Sequence, residues 1–100
     1  MIGINFLNFI GPPTINDISR NQTVNEGRDL KLNCTAAGNP APNIIWTRLS
    51  DNRIVRMPLT NINVHDEGIY RCTADNGIGK PATKDVFVSV NCECSLLNSK

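Results

Sequence analysis

Apolar and polar residues alternate with a period of two through much of the chain. Between Asp29 and Thr35, the side chains of Leu30, Leu32 and Cys34 fall on one face and polar side chains fall on the other. This period is typical of a β-strand with one buried face. The sequence predicts further strands at Ile15–Ile18, Gln22–Asn25, Asn43–Arg48, Met57–Ile62, Ile69–Asp75 and Ala82–Val90. Because no segment has a helical period, we expect an all-β fold.

Short runs rich in Gly, Pro and Asn separate these strands and predict turns. The turns are expected at Glu26–Arg28, Gly38–Pro42, Val64–Gly68 and Asn76–Gly79. The alternation also predicts which side chains point into the core, namely Ile44 and Trp46, then Tyr70, Cys72 and Ala74, then Val86, Val88 and Val90.

The composition narrows the class of protein. One hundred residues are enough for one domain. A net charge of +1 gives no overall field that would favour nucleic acid or an anionic membrane. The four cysteines allow three pairings and are typical of an oxidising compartment. No apolar stretch has the length needed to cross a bilayer.

The two ends of the chain differ from its middle. Residues 1–11 have no basic region and no small-residue cleavage site, so we expect a leader or a foreign extension there. Residues 12–90 are expected to form the domain, and residues 91–100 a flexible tail. Cys92 and Cys94 lie in this tail. We expect free thiols there; an intermolecular bridge, or partners in a neighbouring domain, are the alternatives.

Four residues carry a resemblance to a known family. Cys34, Trp46, Tyr70 and Cys72 have the order and spacing of an immunoglobulin-type β-sandwich. The surrounding residues resemble the I-set of this family, through Val24-x-Glu26-Gly27, Gly38-x-Pro40-x-Pro42, Asp66-x-Gly68-x-Tyr70-x-Cys72 and Ala74-x-Asn76-x-x-Gly79. Within that set, the chain is similar to the second immunoglobulin domain of neural adhesion proteins of the IgLON and lachesin type.

The resemblance implies a two-sheet sandwich and specific core contacts. Cys34 and Cys72 would form a disulfide, on which Trp46 packs beside Leu32. The Tyr70 hydroxyl would bond to the backbone near Asp66. The Asp66 carboxylate would pair with Arg53 or Arg56, or else remain a surface aspartate. Only 11 positions separate Trp46 from Met57, which predicts that one strand of the usual set is missing there.

The outward residues of the predicted sheet give a candidate binding face. With Phe87 placed opposite Arg71, the side chains of Ile45, Ile69 and Phe87 would form an apolar patch around Arg71. Scattered exposed apolar residues are the alternative interpretation. Arg48, Arg53 and Arg56 lie beside the patch and indicate either a solvated charged edge, which we favour, or a site for a heparan-type glycan.

Two tripeptides have the form of acceptors for N-linked glycans, at Asn21 and Asn33. Asn33 is expected to point outward, because Cys34 next to it points inward. A glycan on Asn33 would then cover the sheet opposite the candidate face.

No arrangement of side chains indicates an enzyme. His65 is the only histidine and stands beside Asp66 without a nucleophile. We predict no metal, no cofactor, no nucleic acid and no direct membrane insertion. The predicted function is a non-catalytic, extracellular or cell-surface recognition module that binds another immunoglobulin-type protein or itself. The alternatives are a structural spacer of an intracellular muscle-type protein, and a secreted immune or signalling receptor fragment.

Overall fold

The computed structural model describes residues 10–92. Seven strands occur in this range: β1 Gly11–Ile18, β2 Gln22–Asn25, β3 Cys34–Asn39, β4 Asn43–Arg48, β5 Arg53–Val55, β6 Gly68–Asp75 and β7 Ala82–Asn91. The short 3₁₀ turn Val64–Asp66 precedes β6. Among these residues, no helix has the length and apolar character needed to cross a membrane.

The strands form two sheets, which confirms the predicted all-β sandwich. The larger sheet has the order β2-β7-β6-β4-β5, and the smaller one pairs β1 with β3. β2 runs parallel to β7, and the other pairs are antiparallel. Between the end of β4 at Arg48 and Met57, the chain forms one strand, the three-residue β5.

The core lies between the two sheets and is closed by a disulfide. Cys34 of β3 is bonded to Cys72 of β6, with 6.5 Å between the Cα atoms, as the resemblance implied. Trp46 is the cross-strand neighbour of Cys72 and belongs to the same buried cluster. The cluster also contains Leu30, Leu32, Ile62, Tyr70, Val86 and Val88. Closing a loop of this length stabilises the fold by about 4 kcal/mol in the loop-entropy model.

Two predicted strands are wrong in extent. Leu30 and Leu59 exchange backbone hydrogen bonds of 2.7 and 2.8 Å as an isolated bridge, and neither Asp29–Asn33 nor Met57–Ile62 forms a continuous strand. The strand β3 instead runs from Cys34 to Asn39, into the predicted loop, because β1 extends back to Gly11 and pairs with it.

Ile44 has the predicted direction but is less buried than expected. Ile44 is two residues from buried Trp46 and lies on the same side of the sheet, yet it is 38% exposed. It is the second residue of β4, so its side chain lies at the rim of the sandwich, where the opposite sheet covers it only in part.

The ends of the domain remain predictions. β1 includes Gly11 and β7 continues to Asn91, one residue beyond each predicted boundary. Cys92 is partly exposed at the end of the described range. The predictions for residues 1–9 and for Cys94 fall outside that range.

Candidate protein-binding face

Alternate residues of β4, β6 and β7 point away from the core and form what we call the outward face. The face consists of Ile45, Thr47, Ile69, Arg71, Thr73, Asp85, Phe87 and Ser89. Among residues 10–92, the two-stranded sheet packs against the opposite side of these strands, where the buried cluster lies.

Ile69 and Phe87 form a cross-strand pair on this face. They are aligned in the antiparallel register of β6 and β7, and each is 42% exposed. Directly opposed side chains in antiparallel strands lie about 5 Å apart at Cβ and contact each other. The pair is therefore one continuous apolar surface that water reaches.

The predicted position of Phe87 opposite Arg71 is wrong by two residues. Arg71 is aligned with Asp85, and Phe87 with Ile69. Ala74 is aligned with Ala82, so residues 75–81 lie between these aligned positions. A register shift of two residues changes the partner of each side chain but leaves the side chain on the same face of the sheet.

Ile45 is separated from the Ile69–Phe87 pair. Ile45 is aligned with Thr73 and is 40% exposed, whereas Arg71 is aligned with Thr47. The row that contains Arg71 thus lies between Ile45 and Ile69. The three apolar side chains do not make one continuous patch; they lie on either side of a polar row.

Arg71 is held in that row by Asp85. Its Nε and Nη2 donate to Oδ1 and Oδ2 of Asp85 at 2.8 and 3.1 Å, which is a two-pronged ion pair. Both side chains are about two-fifths exposed. The hydrogen bond and charge of Arg71 lower the pKa of Asp85, and Asp85 in turn raises the pKa of Arg71. Two opposite charges therefore lie side by side at the centre of the face.

The arginines next to the face do not form a free basic cluster. Arg48 donates to Asp51 at 3.0 and 3.2 Å and to Asp66 at 2.8 Å. The bond from Arg48 lowers the pKa of Asp51, and Asp51 raises that of Arg48. Arg53 lies 3.8 Å from Asp51, and Arg56 is exposed.

The predicted partner of Asp66 is consequently wrong. Arg48, and neither Arg53 nor Arg56, pairs with the Asp66 carboxylate. Arg48 is the last residue of β4 and the cross-strand neighbour of Tyr70, which places its guanidinium beside the turn before β6.

A hydrogen bond between Tyr70 and Asp66 connects β6 to the turn that precedes it. Tyr70 is fully buried, its hydroxyl donates to the carbonyl of Asp66 at 2.6 Å, and burial raises its pKa. The Asp66 carboxylate accepts from the backbone N–H of Asn63 at 2.9 Å, and the Asn63 side chain accepts from the N–H of exposed His65 at 2.8 Å. This arrangement is a capping box on the 3₁₀ turn.

Asn76 has a structural role that the sequence did not reveal. Its Nδ2 donates to the carbonyls of Gly11 and Pro40, both at 2.9 Å, and its Oδ1 accepts from the N–H of Ile78 at 3.0 Å. Only the last contact is local. An asparagine that bonds two residues ahead is a recognised turn signal, but its distant partners belong to the tertiary structure.

The two glycan acceptor sequences lie on opposite sides of the sandwich. Asn33 is exposed next to buried Leu32, and its backbone exchanges hydrogen bonds with Ser19 at the end of the small sheet. Asn21 is exposed beside the large sheet, and its Oδ1 accepts from the backbone N–H of Phe87 at 2.8 Å.

Comparison with known proteins finds relatives with similar sequences. The chain is 37% identical over 90 residues to lachesin of Schistocerca americana, across 79% of this chain and 26% of lachesin. It is 34% identical over 95 residues to the limbic system-associated membrane protein of Rattus norvegicus, across 89% of this chain and 28% of that protein. These matches confirm the resemblance to the IgLON and lachesin group. The chain spans only about a quarter of the length of these relatives.

The fold comparison agrees with the sequence comparison. A structure of Dpr2 Ig1-Ig2 in complex with DIP-Theta Ig1-Ig3 matches with a TM-score of 0.72 and 29% identity, over 81% of this chain and 32% of the matched chain. The profile of the immunoglobulin domain matches residues 12–76. The disulfide, the buried Trp46 and the bond from Tyr70 to Asp66 are structural hallmarks of the immunoglobulin fold. The chain therefore belongs to the immunoglobulin domain family.

Proposed function

We propose that this domain is an extracellular, non-catalytic recognition module that binds an immunoglobulin-type protein, or a second copy of itself, through the outward face. The observation that carries the proposal is the exposed Ile69–Phe87 pair beside the Arg71–Asp85 ion pair. An aromatic and an arginine next to apolar surface are the residue types on which binding energy concentrates in protein interfaces.

Two further observations support this function. The relatives include a membrane protein, and the similar fold comes from a complex between immunoglobulin domains. The Cys34–Cys72 disulfide favours an oxidising compartment over an intracellular spacer, because cytosolic thiols are kept reduced. A secreted receptor fragment would use the same compartment and the same face.

A heparan-type ligand is less well supported than a protein. Arg48 and Arg53 already lie beside carboxylates, and the Arg71 guanidinium bonds to Asp85. A sulfated chain would have to displace these carboxylates or bind beside them, and their charge repels an anion.

The test compares two substitutions on chain refolded oxidatively from bacteria, so that the face carries no modification. Phe87→Asp places a charge in the apolar pair. Val64→Asp is the matched control, since Val64 is 39% exposed but belongs to the 3₁₀ turn and is not one of the residues of the outward face. Binding is measured by aggregation of beads coated with the chain, and by a biosensor carrying purified immunoglobulin-domain ectodomains.

We expect Phe87→Asp to abolish the association that wild type and Val64→Asp both show, with all three chains unfolding at similar temperatures. Association of Phe87→Asp equal to wild type would contradict the proposed face.

A further inference from the structure

Asn21 lies beside Phe87, at the end of the outward face that contains the Ile69–Phe87 pair. β2 runs parallel to β7 with Gln22 aligned with Val88, so that Asn21, one residue earlier, is level with Phe87. The hydrogen bond from the Phe87 backbone N–H to Asn21 Oδ1, at 2.8 Å, fixes the amide in this place. Asn21 is exposed, as is Thr23, the residue that completes the acceptor sequence.

We propose that Asn21 carries an N-linked glycan that shields the Ile69–Phe87 pair and so controls access to this end of the outward face. The proposal rests on the extracellular location proposed above. The position of Asn21 beside Phe87 places such a glycan next to the pair. The hydrogen bond to Phe87 uses the amide oxygen of Asn21, whereas a glycan is attached to the amide nitrogen, so the bond is compatible with the modification.

The modification is a glycosyl transfer from a lipid diphosphate oligosaccharide, the donor class of the secretory pathway. A bond forms between Asn21 Nδ2 and the anomeric carbon of the first sugar. The bond from that carbon to the diphosphate oxygen breaks, the diphosphate leaves with the electron pair, and Nδ2 loses one proton. The side chain keeps its carbonyl oxygen, so it still accepts from Phe87.

The second acceptor site would have no such effect. Asn33 immediately precedes β3 at the end of the two-stranded sheet, beside Ser19, on the opposite side of the sandwich. A bulky, hydrated glycan there covers a surface that the proposed contact does not use. Asn21 is thus the one of the two acceptor asparagines whose glycan borders the candidate face.

The experiment uses the chain secreted from animal cells and two substitutions at Thr23. Thr23→Ala removes the acceptor sequence but leaves the Asn21–Phe87 hydrogen bond, whereas Thr23→Ser keeps the acceptor sequence. Glycopeptide mass spectrometry measures the occupancy of Asn21. Hydroxyl-radical footprinting measures the oxidation rate of the Phe87 ring, with Ile45 as the internal control because it is similarly exposed at the far end of the face.

We expect a glycan on Asn21 in wild type and Thr23→Ser, and several-fold slower oxidation of Phe87 in these two chains than in Thr23→Ala. Ile45 should oxidise at one rate in all three. Enzymatic release of the glycans from wild type should raise the Phe87 rate to that of Thr23→Ala. An unmodified Asn21, or equal Phe87 rates in wild type and Thr23→Ala, would overturn the proposal. Neither readout requires a partner, so failure of the face to bind protein is a separate result.

Discussion

The hydroxyl of Tyr70 donates a 2.6 Å hydrogen bond to the backbone carbonyl of Asp66, four residues earlier in the chain. This bond joins the fully buried side chain of β6 to the turn at the base of the domain. It supplies a donor to this partly buried carbonyl.

The first prediction concerns this bond. Tyr70→Phe keeps the ring in the core and removes only the donor, so we expect the free energy of unfolding to fall by about 1–2 kcal/mol. Urea titration monitored by the fluorescence of Trp46 measures the change. A midpoint equal to that of wild type would show that the bond does not contribute to stability.

The second prediction concerns Arg48. It bonds to both Asp51 and Asp66, and its side chain is 21% exposed. Arg48→Met keeps the aliphatic packing and leaves the partly buried Asp66 without its cation, so we expect a loss of about 1.5–3 kcal/mol. Arg53→Met is the control, because the Arg53 side chain is 77% exposed and its ion pair is screened by water. Equal losses in the two variants would contradict the assignment of Arg48 as the partner of Asp66.

The third prediction concerns Asn76. Asn76→Asp retains an oxygen for the N–H of Ile78 but replaces the Nδ2 donor with an oxygen that faces the carbonyls of Gly11 and Pro40. We expect the free energy of unfolding at neutral pH to fall by about 1–3 kcal/mol, since two acceptors lose their donor. Hydrogen exchange should show the extra opening at the Gly11 end of β1. A uniform change in exchange rate over the whole domain, or no change, would contradict the stabilising role of the Asn76 hydrogen bonds to Gly11 and Pro40.

The fourth prediction concerns the pH dependence from Asp85. Arg71 lowers the folded-state pKa of Asp85, so its contribution to stability is present above its unfolded pKa of about 4 and is lost as the pH falls through the lower folded value. Asp85→Asn removes this contribution. The difference in unfolding free energy between wild type and Asp85→Asn should therefore be constant near neutral pH and shrink below about pH 4.

The size of that difference should be small, because water reaches both side chains of the pair. Added salt at neutral pH should reduce it further, as for any exposed ion pair. A difference that grows as the pH falls would mean that Asp85 is stabilised in its neutral form.

The sequence by itself determined the fold class and the disulfide. The alternation of apolar residues indicates β4, β6 and β7 locally. The order and spacing of Cys34, Trp46, Tyr70 and Cys72 resemble the immunoglobulin-type sandwich, and that resemblance implied the Cys34–Cys72 disulfide. The direction of each side chain in these strands follows from the period of two, so the members of the outward face were also predictable.

Only the tertiary structure decided which residues are neighbours across the strands. The register of β6 and β7 depends on the exact length of their turn, which placed Phe87 opposite Ile69 and Arg71 opposite Asp85. The partner of Asp66 depends on where β4 ends. Arg48 is the last residue of β4 and pairs with Asp66, whereas the sequence pattern did not distinguish it from Arg53 and Arg56. The contact of Asn21 with Phe87 joins residues 66 positions apart. Patterns along the chain report the direction of a side chain, whereas a contact between distant residues depends on strand register and turn geometry, which no local period contains.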